Sequence, residues 1–114
     1  MVRSLTLLLL LSSCSPGFTY LGVKQVSLPY NPTIEIAFCL SPSGPHNLLI
    51  GGSTSCPMPL CNRADIIVHS HPSWAEGFAN FIDAIVWSEY NRRYGNEFFG
   101  ILLSSEELLI YQKN

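Results

Sequence analysis

This sequence has few charged side chains and no excess of positive charge. Of its 114 residues, 12% are charged and 47% are hydrophobic, and six basic against eight acidic residues give a net charge of -2. A hydrophobic, weakly charged chain of this length is typical of one small globular domain rather than of a disordered segment. Because a basic patch is the electrostatic signature of nucleic-acid binding, its absence argues against nucleic acid as a partner.

The sequence also lacks internal repeats, low-complexity tracts, glycine-rich phosphate loops and any apolar run long enough to cross a bilayer as a mature helix. Its leucine run, residues 7–11, follows Arg3 and precedes Ser12 and Ser13. A charged start, a short apolar middle and small residues at the end are typical of a secretory signal peptide. Residues 1–13 are therefore expected to be removed, which leaves five basic and eight acidic residues and a net charge of -3.

The four residues ending at Cys14, Leu-Ser-Ser-Cys, resemble the bacterial lipobox, in which the cysteine becomes the lipidated first residue. This resemblance implies export and a lipid anchor in the cell envelope, and Ser15 after the cysteine favours the outer membrane, facing the periplasm. An ordinary signal peptide with an incidental cysteine is the alternative. Residues 14–30 are expected to form a tether, in which the weak alternation over 23–28 is consistent with an edge strand.

Three further cysteines, Cys39, Cys56 and Cys61, predict one disulfide in an exported protein. Cys56 and Cys61 have four residues between them, so a local bridge across this proline-containing loop is the simplest pairing. Three cysteines leave one unpaired, and the sequence alone does not decide which one. A Cys-x4-Cys zinc knuckle is the alternative, but it needs two further ligands and none lies close by in the sequence.

The periodicity of apolar residues predicts an α+β domain over residues 31–114, with a small mixed, mainly antiparallel sheet packed on one long helix. The predicted strands cover residues 33–40, 48–51, 64–68, 98–104 and 108–112. A helix is predicted to open over residues 77–80, with Asn80 as its cap, and to end at Gly95. Its predicted buried face consists of Phe81, Ile82, Ile85, Val86, Tyr90 and Tyr94.

Two histidines lie at the end of the third predicted strand, where the apolar run of residues 66–68 leads into His69-Ser-His71-Pro. Asp83 follows twelve residues after His71, in the first turn of the predicted helix. Two imidazoles and one carboxylate at a strand–helix junction suit a metal site, and three protein ligands leave a fourth position for water, as in catalytic zinc sites. The alternative is that the histidines are ordinary core residues and that Asp83 only favours the helix N-terminus.

This pattern, with the lone carboxylate of Glu35 on an earlier strand, resembles the JAB/MPN metalloprotease superfamily, also called JAMM. The family signature is an upstream Glu, then His-x-His-Pro, then a Ser and an Asp with two residues between them. The β-β-β-α-β-β order, JAB/MPN-like and cytidine-deaminase-like, matches over residues 31–114. The resemblance implies a zinc-dependent hydrolase of peptide, isopeptide or cell-wall cross-link bonds, with one Zn²⁺ held by His69, His71 and Asp83. It also implies Glu35 as the general base that accepts a proton from the attacking water.

The loop before the helix departs from the family signature in two ways. It has one extra residue between His71 and Asn80, and Asn80 stands where the family has the Ser that helps to hold the substrate carbonyl. The resemblance assigns Asn80 this catalytic role, and a plain helix cap is the alternative. Ser70, Trp74 and Glu76 are expected to line the substrate cleft, and the alternative for Trp74 and Glu76 is that they are exposed loop residues. A catalytically inactive JAB-like protein-binding module and a small structural envelope lipoprotein are the alternative functions.

Overall fold

In the part of the chain that the structure describes, a six-stranded sheet carries one helix on one of its faces. The computed structural model of this chain describes residues 17–52, 58–73, 75 and 77–114. In chain order the elements are β1 (Phe18–Gln25), β2 (Ile36–Ser41), β3 (Gly44–Ile50), β4 (Ile66–Ser70), α1 (Phe81–Tyr94), β5 (Phe98–Leu102) and β6 (Glu107–Lys113). The strand order across the sheet is β1-β6-β5-β4-β2-β3.

The predicted α+β class and the mainly antiparallel pairing are confirmed. Every strand pair of the described residues is antiparallel except β4 and β5, which are parallel neighbours joined through α1. A parallel pair needs a crossover connection, and the helix supplies it. The crossover therefore returns the start of α1 to the carboxyl end of β4, which is where the two histidines lie.

The sheet extends further along the chain than the sequence predicts. The predicted edge strand over 23–28 overlaps β1 only at residues 23–25, because β1 begins at Phe18 and ends at Gln25. β1 pairs with β6 along its length, so the sheet includes part of the predicted tether. Phe18 explains this earlier start, because its ring packs on Trp87 and Phe99 with centroids 5.7 and 5.2 Å apart. β4 also ends later than predicted, at Ser70, so His69 lies within the strand.

Two apolar clusters cover the two faces of the sheet. We call the face that packs on α1 the helix face, and the opposite one the outer face. The helix-face cluster contains Phe18, Ile67, Trp87, Phe99, Ile101, Leu109 and Tyr111. The outer-face cluster contains Ile36, Phe38, Val68, Leu102 and Leu108, with Val26, Leu28 and Tyr30 packed against it. Strand alternation sends neighbouring residues of β4 to opposite faces, so the helix face and the outer face carry different side chains.

The predicted buried face of the helix is mostly wrong. Of its six residues, Tyr90 packs against the helix-face cluster, but four are exposed. Phe81, Ile82 and Ile85 are 66%, 64% and 47% exposed, and the buried residues are instead Asp83, Ala84 and Trp87. Asp83 and Trp87 are four positions apart and thus share one side of the helix. That side turns toward the sheet because Trp87 fills the core of the helix face and Asp83 meets the histidines of β4.

The predicted local disulfide is also wrong. Cys61 is bonded to Cys39, with their Cα atoms 5.4 Å apart and a sequence separation of 22. The sequence spacing favours a short loop bridge, but β2 pairs directly with β4, and this brings Cys39 beside the segment that leads into β4. Cys56, the partner predicted from spacing, lies outside the described residues, as does Cys14.

Candidate metal centre

The carboxyl end of β4 presents two imidazoles on one face of the sheet. His69 lies between Ala37 of β2 and Ile101 of β5, and both neighbours fix the backbone at this point. His71 follows the strand, and its backbone N–H donates to the carbonyl of Leu102 at 3.0 Å. Since residues two apart in an extended chain point the same way, both rings lie on the helix face.

Asp83 is brought to these rings by the cap of α1. Asn80 is the N-cap, and its Oδ1 accepts the backbone N–H of Asp83 at 2.9 Å. The carboxylate of Asp83 in turn accepts the backbone N–H of Asn80 through Oδ2, also at 2.9 Å. This reciprocal capping box satisfies two orphan donors at the helix start and holds the carboxylate in one orientation. The predicted cap at Asn80 is thus confirmed.

The three predicted ligands meet in a compact, buried group. Nε2 of His69 lies 2.9 Å from Oδ1 of Asp83, and Nε2 of His71 lies 3.4 Å from Oδ2. The side chains of His69, His71 and Asp83 are 7%, 8% and 10% exposed. The two imidazole rings are stacked, with centroids 5.3 Å apart and planes 16° apart. One ligand atom from each residue lies within 4.8 Å of the other two, so a single ion can contact all three.

The orientation of His69 favours a metal over a simple ion pair. Although its Nε2 is 2.9 Å from Oδ1 of Asp83, the contact lacks hydrogen-bond geometry, and this buried nitrogen has no hydrogen-bond partner among the described residues. A buried polar atom without a partner is costly and calls for an explanation such as an ion. A cation bound between the three side chains would satisfy this nitrogen and the nearby carboxylate oxygen together. Imidazole and carboxylate are also the donor types of zinc sites, so the residues fit the metal.

The electrostatics of the group keep the carboxylate ionised. Burial alone would raise the pKa of Asp83, but the close contacts to His69 and His71, the charge of His69 and the backbone N–H of Asn80 outweigh it and hold this pKa well below the usual range. An ionised carboxylate is the form that binds a cation. The site therefore has its anionic ligand in place at neutral pH.

Two residues that the sequence does not mark as part of the site, Trp87 and Tyr30, support the histidines. The ring of Trp87 is stacked on His69, with centroids 5.9 Å apart, and is 1% exposed. Tyr30 donates its hydroxyl to the backbone carbonyl of His71 at 2.9 Å. Trp87 lies four positions after Asp83, so the sequence predicts that both side chains lie on the same side of the helix, near the histidines. Tyr30 lies forty-one residues before His71, so the sequence does not predict its hydrogen bond to the carbonyl of His71.

The residues predicted around the metal have mixed outcomes. Ser70 does not line a cleft: it is fully buried on the outer face, where its hydroxyl accepts the N–H of Ile36 at 2.9 Å. The reason is strand alternation, which sends the residue between two inward histidines to the opposite side. Trp74 and Glu76 lie outside the described residues. Glu35 immediately precedes β2 and is half-buried.

A second group of candidate ligands lies beside the disulfide. Cys39, Cys61 and Asp65 place their ligand atoms within 4.8 Å of one another. Both sulfurs are joined in the disulfide. Asp65 accepts the backbone N–H of Asn62 at 3.0 Å and contacts Nε2 of His46 at 3.1 Å. Because thiolate is the metal-binding form of cysteine, the bonded pair offers no zinc knuckle here.

No protein-family model, curated protein or solved structure matches this chain.

Proposed function

We propose that this chain is a zinc-dependent hydrolase of peptide or isopeptide bonds, related to the JAB/MPN superfamily. The observation that carries the proposal is the convergence of His69, His71 and Asp83, in which Nε2 of His69 has no hydrogen-bond partner among the described residues. Three protein ligands leave an open coordination position, which distinguishes catalytic from structural zinc. When bound, the zinc ion supplies Lewis acidity that polarises a carbonyl and makes water more acidic.

Glu35 is proposed as the general base because it immediately precedes β2, the strand that pairs with the histidine-bearing β4. Ala37 pairs with His69, and Glu35 lies two residues before Ala37, so strand alternation puts its side chain on the helix face. Its backbone is held on the other side, where its N–H donates to Gly52 at 3.0 Å and its carbonyl accepts from Gly51 at 2.9 Å. A carboxylate on a fixed backbone can accept the proton of the attacking water and deliver it to the leaving amine.

Asn80 is proposed to orient the substrate carbonyl through its amide. Its Oδ1 is engaged in the cap of α1, where it accepts the N–H of Asp83. The residue is exposed, and the capping geometry leaves the Nδ2 hydrogens as the donors of this side chain. An amide donor can stabilise the negative charge that develops on a carbonyl oxygen during attack.

The proposed setting is the bacterial cell envelope, with a lipid on Cys14 as the membrane anchor. No helix of the described residues is long and apolar enough to span a bilayer. Peptides, isopeptides and cell-wall cross-links remain the proposed substrates, and nucleic acid is not among the proposed partners.

The Glu35→Gln variant tests the catalytic assignment most simply. A panel of quenched fluorescent peptides and isolated cross-linked muropeptides serves as substrate, with zinc content measured on each sample. Glu35→Gln is expected to retain zinc and to lose about 100-fold or more of any hydrolysis, because a positioned general base contributes about 100- to 10,000-fold. Glu97→Gln, an exposed glutamate outside the site, is the matched control. Undiminished hydrolysis in Glu35→Gln would refute the base assignment, and zinc without hydrolysis in the unaltered chain would favour the inactive binding module.

A further inference from the structure

The outer face of the sheet carries an apolar groove of about 880 Å³. Its floor consists of one residue from each of four strands, Leu40, Ile66, Phe98 and Ile110, and all four are only half-buried. Ile66 pairs with Leu40 on one side and with Phe98 on the other, so the groove runs across the strands. Ile66 begins β4, whereas the histidines lie at its other end and on the other face. The groove is thus separate from the candidate metal centre.

The groove exists because the outer face is covered over only part of its area. The segment after β1 crosses the sheet and is held by two backbone hydrogen bonds, from Val26 to Glu106 and from Leu28 to Ser105, both at 2.9 Å. It buries the neighbouring outer-face residues completely, including Phe38, Val68 and Leu108. The same segment forms a wall of the groove and leaves the Ile66 row without a cover among the described residues.

The shape and charge of the groove restrict its ligand. It reaches from β1 to β2, five adjacent strands, a width of about 19 Å at the usual strand spacing. Among the described residues that line it, Lys24 of β1 is the only charged one, and the others are mostly aliphatic, with the hydroxyls of Ser27 and Ser41. A long apolar groove with the positive charge of Lys24 at its β1 end complements a molecule with a long alkyl chain and a single anionic head group.

We propose that this groove binds a long-chain fatty acid, with the alkyl chain lying across Ile66 and Phe98 and the carboxylate at Lys24. The volume lies within the range of small-molecule sites, and the half-buried floor residues would lose their remaining contact with water on binding. Burial of each added methylene in such a site strengthens binding by roughly fourfold. Affinity should therefore rise with chain length and stop rising once the chain exceeds the groove.

The test is equilibrium binding of radiolabelled saturated fatty acids of eight to eighteen carbons to the purified full chain. Palmitate is expected to bind saturably at one per chain, and its methyl ester more weakly. Ile110→Trp, which fills the floor, should abolish binding, and Lys24→Gln should weaken palmitate at least several-fold without affecting the ester. Lys113→Gln, the other lysine downstream of residue 13, and Ile82→Glu, on the exposed side of α1, are the matched controls.

Two groups of results would overturn the proposal. One is the absence of saturable binding, which would also be the result if the leucine run of residues 7–11 or a second copy of the chain occupied the groove. The other is binding that survives Ile110→Trp and Lys24→Gln, or that is lost in Ile82→Glu, since the ligand would then lie elsewhere. Zinc content and hydrolysis should be unchanged in Lys24→Gln, so this test succeeds or fails independently of the metal centre.

Discussion

At the scale of single residues, Asp83 links the start of the helix to the metal centre. Its carboxylate accepts the backbone N–H of Asn80 and also lies against both histidines. Both roles could be predicted from residue type and position, because an Asp three positions after an Asn cap suits a helix start and two nearby histidines suit a metal. The stacking of Trp87 on His69 could not be predicted in this way, since it depends on which side of the helix meets the sheet.

The two roles of Asp83 can be separated by substitution. Asp83→Asn retains an oxygen that can accept the N–H of Asn80 but lacks the anionic ligand, so zinc affinity should fall at least 10-fold with little change in stability. Asp83→Ala should lose zinc and also destabilise the protein by about 1 kcal/mol through loss of the capping interaction. Zinc titration against a competing chelator and urea unfolding of the metal-free proteins measure the two effects. Equal zinc affinity in Asp83→Asn and the unaltered chain would exclude Asp83 as a ligand.

Gly100 is needed for close packing of the outer face. A Cβ atom at this position would lie 2.8 Å from Cδ1 of the fully buried Leu108 and 3.4 Å from the backbone oxygen of Leu109. Gly100→Ala should therefore destabilise the fold by about 1–3 kcal/mol, the usual effect of overpacking a core. Urea unfolding measures it, with Gly77→Ala as the control, because a Cβ there meets only the end of the Leu103 side chain at 3.3 Å. A Gly100→Ala protein as stable as the control would contradict this packing.

At the scale of elements, the helix shows what sequence periodicity can and cannot predict. The limits of α1 follow from local chemistry, since Asn80 caps it and Gly95, at φ 78°, ends it with its N–H donated to Asn91. The buried side of α1 does not follow from local chemistry, because apolar residues occur around much of the helix. The core places Trp87 inward, and Phe81 is left exposed.

Two substitutions in α1 test which side of the helix is buried. Trp87→Ala removes a side chain that is 1% exposed and should destabilise the protein by about 3–5 kcal/mol. Ile82→Ala alters a side chain that is 64% exposed and should change stability by less than about 0.5 kcal/mol. Chemical denaturation compares them directly. A greater loss of stability in Ile82→Ala than in Trp87→Ala would contradict the structure and support the buried face predicted from periodicity.

At the scale of the whole molecule, the order of elements predicts the α+β class, but long-range pairing decides the rest. The parallel neighbours β4 and β5 and the extension of β1 to Phe18 are consequences of sheet assembly. The pairing of Cys39 with Cys61 likewise follows from β2 lying beside β4. The spacing of cysteines along the chain does not show which strands are neighbours in the sheet. The sequence therefore favours the local pairing of Cys61 with Cys56.

The disulfide ties β2 to the segment before β4 and should be visible in the purified protein. Peptide mapping without reductant is expected to yield a Cys39–Cys61 cross-link, and a Cys56–Cys61 cross-link as the main product would contradict the fold. Because the bridge closes a loop of about twenty residues, Cys61→Ser should destabilise the domain by about 2–4 kcal/mol. Ser43→Ala, an exposed position in the β2–β3 turn, serves as the control for unfolding measurements.

The zinc content of the purified protein tests the central claim most directly. The unaltered chain is compared with His69→Ala/His71→Ala and with His46→Ala, which removes the one other histidine, outside the site. About one zinc per chain in the unaltered protein and in His46→Ala, and none in the double variant, is the predicted result for a three-ligand site. The absence of zinc from the unaltered chain, or its retention in the double variant, would contradict the metal centre and the hydrolase proposed from it.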